Sequence, residues 1–369
     1  MYILIITVVL CLNQFIFFPH EIKRDTYMSR TNDTGVYIEY TSKDGAVSRE
    51  PTTLPIPSST IDRMSVDGGD AVLVVTHEYL TKIEKGFNSL NSLNVAPIKR
   101  LKFIGGGGEV EPGLSRAMFE FDSGLGIDML QSIEFCGVEN VRHIPDNFLF
   151  KNTSLLAVDL SPFRNVTSIG HSFLACCPSL TSIDLRPLWN VTAIPGSFLS
   201  GCTAITTVDL SPLVNLESVD TGFLTGCTSL TSIDLSPFRK MTTVPAWFLN
   251  MCSSLESVDT SPLSNVTEVG SYFMAHCTAL KSIDLAPLAN VATPGHNFML
   301  GCTSLSNIDL APMASLQEID KTFMKGCKAF KPAMRKKFMQ SIEDRKNSVT
   351  VPTPTAARKV AVKAGGKKK

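Results

Sequence analysis

The chain has 369 residues, 44% of them hydrophobic and 18% charged, which is ample apolar material for a core. Its formal net charge of zero excludes a polycation or polyanion overall, but the average hides an asymmetry. From Lys331 onward 12 basic residues meet only Glu343 and Asp344, leaving 22 basic and 32 acidic residues upstream, so an acidic body precedes a basic end.

In chain order, residues 1–18, "MYILIITVVLCLNQFIFF", form an apolar run broken only by Asn13 and Gln14. The run is about the minimum for a membrane span and longer than an ordinary signal-peptide core. It has no basic flank before it and no small-residue cleavage site after it. Lys23 and Arg24 follow, so a spanning helix would leave the downstream chain in the cytosol. Three readings of residues 1–27 stay open. One is a signal-anchor, giving a membrane-associated protein with cytosolic repeats. Another is a secretory signal, giving a secreted or cell-surface protein. The third is a true start at Met28 and a soluble cytoplasmic protein.

Residues 28–129 carry no period and read as an irregular N-terminal cap. Within them "GVYIEY" and "DAVLVV" read as short strands and "MSVDGGD" as a turn. "GGGGEV" at Gly105–Val110 has the composition of a phosphate loop but lacks the Lys-Ser/Thr that holds nucleotide and metal, so it reads as a flexible connection.

From about residue 130 the sequence repeats itself every 25 residues. Phenylalanine recurs at 148, 173, 198, 223, 248, 273, 298 and 323. Cysteine recurs at 177, 202, 227, 252, 277, 302 and 327, with Asn152 in the slot before. An Ile/Val column runs from Val158 to Ile308 and a proline column from Pro162 to Pro312, while an irregular first unit places Ile133, Phe135, Val138 and Val141 in matching slots. About eight units thus fill residues 130–329. One unit reads L-x-x-I-D-L-S-P-L-x-N-V-T-x-I-G-x-x-F-L-x-G-C-T-S. Its L-x-x-I-x-L segment has the alternation of a half-buried strand, and Ser-Pro ends it because proline gives no N–H to a ladder. No unit can bury its apolar side alone, so the units stack as a solenoid of α/β type, with a parallel β-sheet on one face rising about 4.8 Å per rung.

This unit resembles the leucine-rich repeat, and its "I-G-x-x-F-x-x-C" half resembles the BspA-like subclass. It departs from that subclass in carrying "LSPLxNVT" where a shorter proline-containing link is usual. The resemblance implies a leucine-rich-repeat array with a binding role. For exported members it implies cell-surface adhesion, which is the alternative function here and requires the leader to act as a secretion signal.

Asp159, Asp184, Asp209, Asp234, Asp259, Asp284 and Asp309 form a further column, begun by Glu134. Each lies between two core positions in sequence, and on the expected strand it points the opposite way from both. Ser232 and Ser236 flank it in the unit "TSIDLSPF". Carboxylates about 5 Å apart in water repel by roughly 0.8 kcal/mol per pair before salt screening. Two explanations stand beside each other. Each Asp accepts local hydrogen bonds from Ser or Thr, or the row is an acidic groove for a protein partner with a basic segment or for weakly held divalent cations. Arg186 interrupts the row.

The remaining columns read as structural. Single cysteines 25 residues apart do not match zinc spacing, and parallel Cβ vectors suit no disulfide, so buried free thiols are expected. Asn140, Asn165, Asn190, Asn215, Asn265 and Asn290 form a broken ladder expected to bond backbone groups in turns. The N-x-S/T matches at Asn152, Asn165, Asn190 and Asn265 follow from the repeat itself, and Asn32 is the one candidate glycosylation site. His171 and His296 share a slot but lie five rungs apart. No nucleophile–base set and no H-E-x-x-H occurs, so neither catalysis nor a cofactor or metal is expected. After the array, residues 330–346 read as a capping helix with Ala333, Met334, Phe338, Met339 and Ile342 on its inner face. Residues 347–369 read as a disordered basic tail. A membrane contact is open through residues 1–18, and nucleic acid is not the expected partner.

Overall fold

The computed structural model describes residues 131–350 except Asn307, and the backbone of four earlier strands. These strands are β1 (Val36–Thr41), β2 (Val47–Thr52), β3 (Asp70–Thr76) and β4 (Arg100–Ile104). They join β5 (Ser132–Cys136) in a five-stranded sheet of order β2-β1-β3-β4-β5. β1 is antiparallel to both its neighbours, whereas β3–β4 and β4–β5 run parallel. "GVYIEY" and "DAVLVV" supply β1 and β3. The leader, "GGGGEV", Asn32 and the residues after 350 lie outside the described residues.

The described residues from 131 to 330 wind into a stacked solenoid. At its centre the phenylalanine column forms a continuous pile, each ring under 2% exposed. Neighbouring rings from Phe148 to Phe323 lie face to face with centroids 5.2–6.1 Å apart and planes within 22°. Phe163 and Phe238 wedge in edge-on at 5.8 Å and 5.3 Å, the arrangement their ring quadrupoles favour. Beside this pile each buried thiol of the cysteine column donates to the carbonyl 28 residues earlier. Cys227 Sγ reaches Leu199 O at 3.2 Å, and Cys177, Cys202, Cys252, Cys277, Cys302 and Cys327 repeat the bond. The column cysteines from Cys177 to Cys327 are all free thiols.

The strands do not sit where the hydrophobic alternation suggests. The L-x-x-I-x-L segment forms a strand only in the first rung, as β5, where β4 lies alongside to pair with it. In later rungs the strands are two-residue pieces in the V-T-x-I segment: β6 (His143–Ile144), β7 (Ser168–Ile169), β8 (Ala193–Ile194), β9 (Ser218–Val219), β10 (Thr243–Val244) and β11 (Glu268–Val269). The reason lies in where the N–H groups go. After each column aspartate the N–H two residues on bonds the aspartate itself, and the next residue is proline, so a tight turn forms instead of a ladder, 3₁₀ in all these rungs except that of Asp209.

Proline also explains why the short strands pair in twos, β6–β7, β8–β9 and β10–β11, all parallel. The N–H of Gly170, Asp220, Gly270 and Gly295 each donates to the carbonyl of the rung before, at 2.7–2.9 Å. The same slot holds Pro195 and Pro245 in the intervening rungs, which have no N–H to give, and the ladder breaks there.

The return loop of each rung uses a left-handed backbone at alternate positions, as at Ser197, Leu199 and Gly201. Their N–H groups bond adjacent rungs, Ser197 to Thr221 O at 2.7 Å and Gly201 to Thr225 O at 2.7 Å. The middle position is a buried Leu or Met throughout, whereas the outer two accept glycine readily, as at Gly222 (φ 84°) and Gly226 (φ 75°). The asparagine ladder is present at alternate rungs. Asn165, Asn215 and Asn265 each donate to the carbonyl 26 residues earlier.

Helix α1 (Pro332–Thr350) follows the last rung. Phe338 lies 6.1 Å from Phe323 with planes 19° apart and so extends the ring pile by one. Ile342 is buried, and the Arg335 guanidinium donates to Phe323 O and Asp320 O. Ala333, Met334 and Met339 are exposed, contrary to the inner face expected of them. The inward stripe is Arg335, Phe338 and Ile342, spaced i, i+3, i+7, with the arginine reaching the carbonyls that an end rung leaves open.

Candidate functional site: the aspartate row and the return-loop face

The column aspartates sit one after another along the array, each just before a tight turn that is 3₁₀ in every rung but that of Asp209. Asp159, Asp234 and Asp259 hold the following serine twice, through its N–H at 2.8–2.9 Å and its hydroxyl at 2.9 Å. Asp209, Asp284 and Asp309 hold only the N–H of Ser211, Ala286 and Ala311, at 2.8–2.9 Å, with one carboxylate oxygen. Asp184 is closed by its own Arg186, whose Nη2 lies 2.7 Å from Oδ2. Arg186 thus neutralises one member of the row.

Ile233 and Leu235 are buried while Asp234 between them is exposed, so the row faces water. Of the flanking serines, Ser232 is exposed and Ser236 is half-buried against Asp234. The Arg186 hydrogen bond holds the Asp184 carboxyl below the usual range. The N–H of Ser261 and then its hydroxyl do the same for Asp259. The row stands on turns beside the ladder segment, not on a sheet face.

At the far edge of the array, burial works against ionising Asp320, but bonds from Thr322 and from His296 Nδ1 at 3.2 Å outweigh it and hold its carboxyl low. His171 lies near Asp220 at 4.0 Å and His296 near Asp320, so the two histidines do not cooperate. Among the described residues no group of three or more His, Cys, Asp or Glu side chains could hold a metal ion. No helix among them is long and apolar enough to cross a membrane.

A second surface escaped the sequence reading. On the return loops Trp247 (39% exposed) stacks on Tyr272 with centroids 4.0 Å apart, and Met251 beside them is 48% exposed. Trp247, Met251, Tyr272 and His276 all take left-handed backbones, φ 59–63°, in slots that other rungs fill with Gly201, Gly222, Gly226 and Gly301. A residue with a Cβ pays about 1–2 kcal/mol for that conformation. The signal was a departure from the column: Trp and Tyr stand where other units carry Ser, Gly, Asn or Thr.

The profile described as "BspA type Leucine rich repeat region (6 copies)" matches residues 127–256 and 217–345, more than half the chain. No curated protein matches. Among solved structures, a T. pallidum leucine rich repeat protein is similar at 18% identity and TM-score 0.40, over 50% of this chain and 80% of its own. A leucine-rich repeat protein from Eubacterium ventriosum is similar at 15% identity and TM-score 0.34, over 79% of this chain and 95% of its own. A leucine rich cell surface protein from Faecalibacterium prausnitzii is similar at 17% identity and TM-score 0.22, over 58% and 80%.

Proposed function

Because the chain belongs to the BspA-type leucine-rich repeat family, we propose that it is a non-enzymatic scaffold whose aspartate row docks a protein partner through a basic segment. One observation supports this reading. Asp209, Asp284 and Asp309 are each fixed through one oxygen to a backbone N–H, leaving the other oxygen with no partner among the described residues. A carboxylate already held in place loses little freedom when an ammonium or guanidinium arrives, and bonds to such charged groups are the stronger kind. Repetition at rung spacing suits an extended partner better than a compact one.

The test separates charge from structure. Asn in place of Asp keeps the oxygen that caps the turn and removes the charge. Binding of a synthetic Lys/Arg-rich peptide to the full chain is measured by calorimetry at low and high salt. The triple variant Asp209→Asn, Asp284→Asn, Asp309→Asn is expected to bind at least tenfold more weakly, a loss of about 1.4 kcal/mol or more. Equal affinity in variant and parent would refute the reading.

A further inference from the structure

The return-loop face carries its own complement. Eight loop rungs run from Phe148 to Phe323, and their midpoint falls between the rungs of Phe223 and Phe248. On one side of that midpoint lies a ledge, Trp247 and Met251, with Tyr272 and His276 beyond. On the other lies bare backbone: a Cβ built on Gly226 would meet only the backbone of Gly201 within 4 Å. The ledge and the hollow are one rung apart on the same face.

We propose that a second copy of this chain docks here, antiparallel, about a two-fold axis between those two central rungs. Such an axis sets Met251 of each copy opposite Gly226 of the other and His276 opposite Gly201, a bulky side chain against a bare one each time. Self-complementarity of this kind is what an isologous interface requires. The same operation brings the two ends of the face together and sets Asp146 opposite Lys321, both exposed, once at each end. Opposite charges therefore meet twice in the same register in which side chains meet hollows. The axis also falls at the centre of the array, so the paired faces align without overhang.

The chemistry of the surface favours a protein face over a sugar or another hydroxylated ligand. The Ser200 hydroxyl is bonded to Thr225 O and the Thr225 hydroxyl to Trp247 O. The N–H groups of Gly201 and Gly226 are taken by the next rung. What remains is contact area. Asn250, in the same turn, buries an Oδ1 that has no partner among the described residues. The strained, exposed Trp247 and Met251 sit at the centre of the proposed contact, and the Asn250 atom is buried behind them. The inference uses a different face from the aspartate row and does not rest on it.

Sedimentation equilibrium of the full chain tests it. A reversible monomer–dimer equilibrium at micromolar protein is expected, weakened at least roughly tenfold by Met251→Asp. Asp146→Lys alone sets lysine against lysine and is expected to weaken the dimer likewise, while Asp146→Lys with Lys321→Asp restores it. That rescue requires residue 146 of one copy against residue 321 of the other, an assembly that stops at the dimer excludes an open head-to-tail chain, and circular dichroism melts check that each variant is folded. A parent that stays monomeric to about 100 μM overturns the proposal. So does a dimer indifferent to these changes, or a double variant that fails to recover.

Discussion

The thiol of Cys227 lies 3.2 Å from the carbonyl oxygen of Leu199, a residue on the adjoining rung, and six other rungs repeat the bond. These sulfurs tie rung to rung from inside the core, where no water competes. Their reactivity follows from that position. Burial pushes the Cys202 and Cys277 thiols up to about 12 and raises Cys177, Cys227 and Cys252 as well. A thiol-specific reagent at pH 8 is expected to modify, among the described residues, only Cys176 and Cys136 in the folded chain. The buried column should react only after denaturant is added. Rapid labelling of Cys227 in the folded protein contradicts this.

The same burial sets an alkaline limit. The unfolded chain loses thiol protons near pH 8.5 while the folded chain keeps them, so the unfolded state binds fewer protons above that pH. Stability contributed by the thiols is thus complete below about pH 8.5 and falls as pH rises toward the folded value. Each such thiol contributes a fall of about 1.4 kcal/mol per pH unit in that window. Thermal melts from pH 7 to 10 should show a steep drop above 8.5, made shallower by Cys202→Ala with Cys277→Ala. A flat profile would count against buried, protonated thiols.

Phe223 packs against Phe198, Phe238 and Phe248 with no exposure. Phe223→Ala should cost about 3–5 kcal/mol, seen as a large shift in denaturant midpoint. Phe338→Ala removes only the end ring and should cost less. Its signature is faster amide exchange confined to the last rung and α1, because terminal units of a solenoid open locally. Uniform loss of protection along the array would show that α1 does more than cover an end.

At Asp234 the carboxylate takes both the N–H and the hydroxyl of Ser236. Asp234→Asn retains the turn and should leave stability within about 0.5 kcal/mol. Asp234→Ala frees the N–H and should cost about 1 kcal/mol. Equal melting temperatures for the two variants would mean that the aspartate does not hold the turn.

The architecture was open to reading because stacking forces like over like, so the Phe, Cys and Ile columns had to be core. Strand placement was not, because the L-x-x-I-D-L alternation persists whether or not a ladder forms. What decided it was the fate of single N–H groups: the aspartate captured one, and Pro195 and Pro245 removed others at alternate rungs. The aspartate row was visible as a column, but which carboxylates keep an open oxygen depends on whether the residue two on is Ser211, Ala286 or Arg186 and on where that side chain turns. Trp247 and Tyr272 stayed hidden because they break a pattern, and a break in one slot carries no direction until the backbone shows which way the slot faces.

The rungs stack in register along the array, and inter-label distances read that most directly. With exposed cysteines replaced by serine, spin labels are attached through cysteines introduced at 161 and 261, and separately at 161 and 311. Pulsed dipolar spectroscopy should give narrow distributions near 20 Å and near 30 Å, four and six rungs at about 4.8 Å each. Distances that do not grow with the number of rungs, or broad distributions for both pairs, would contradict the stacked array.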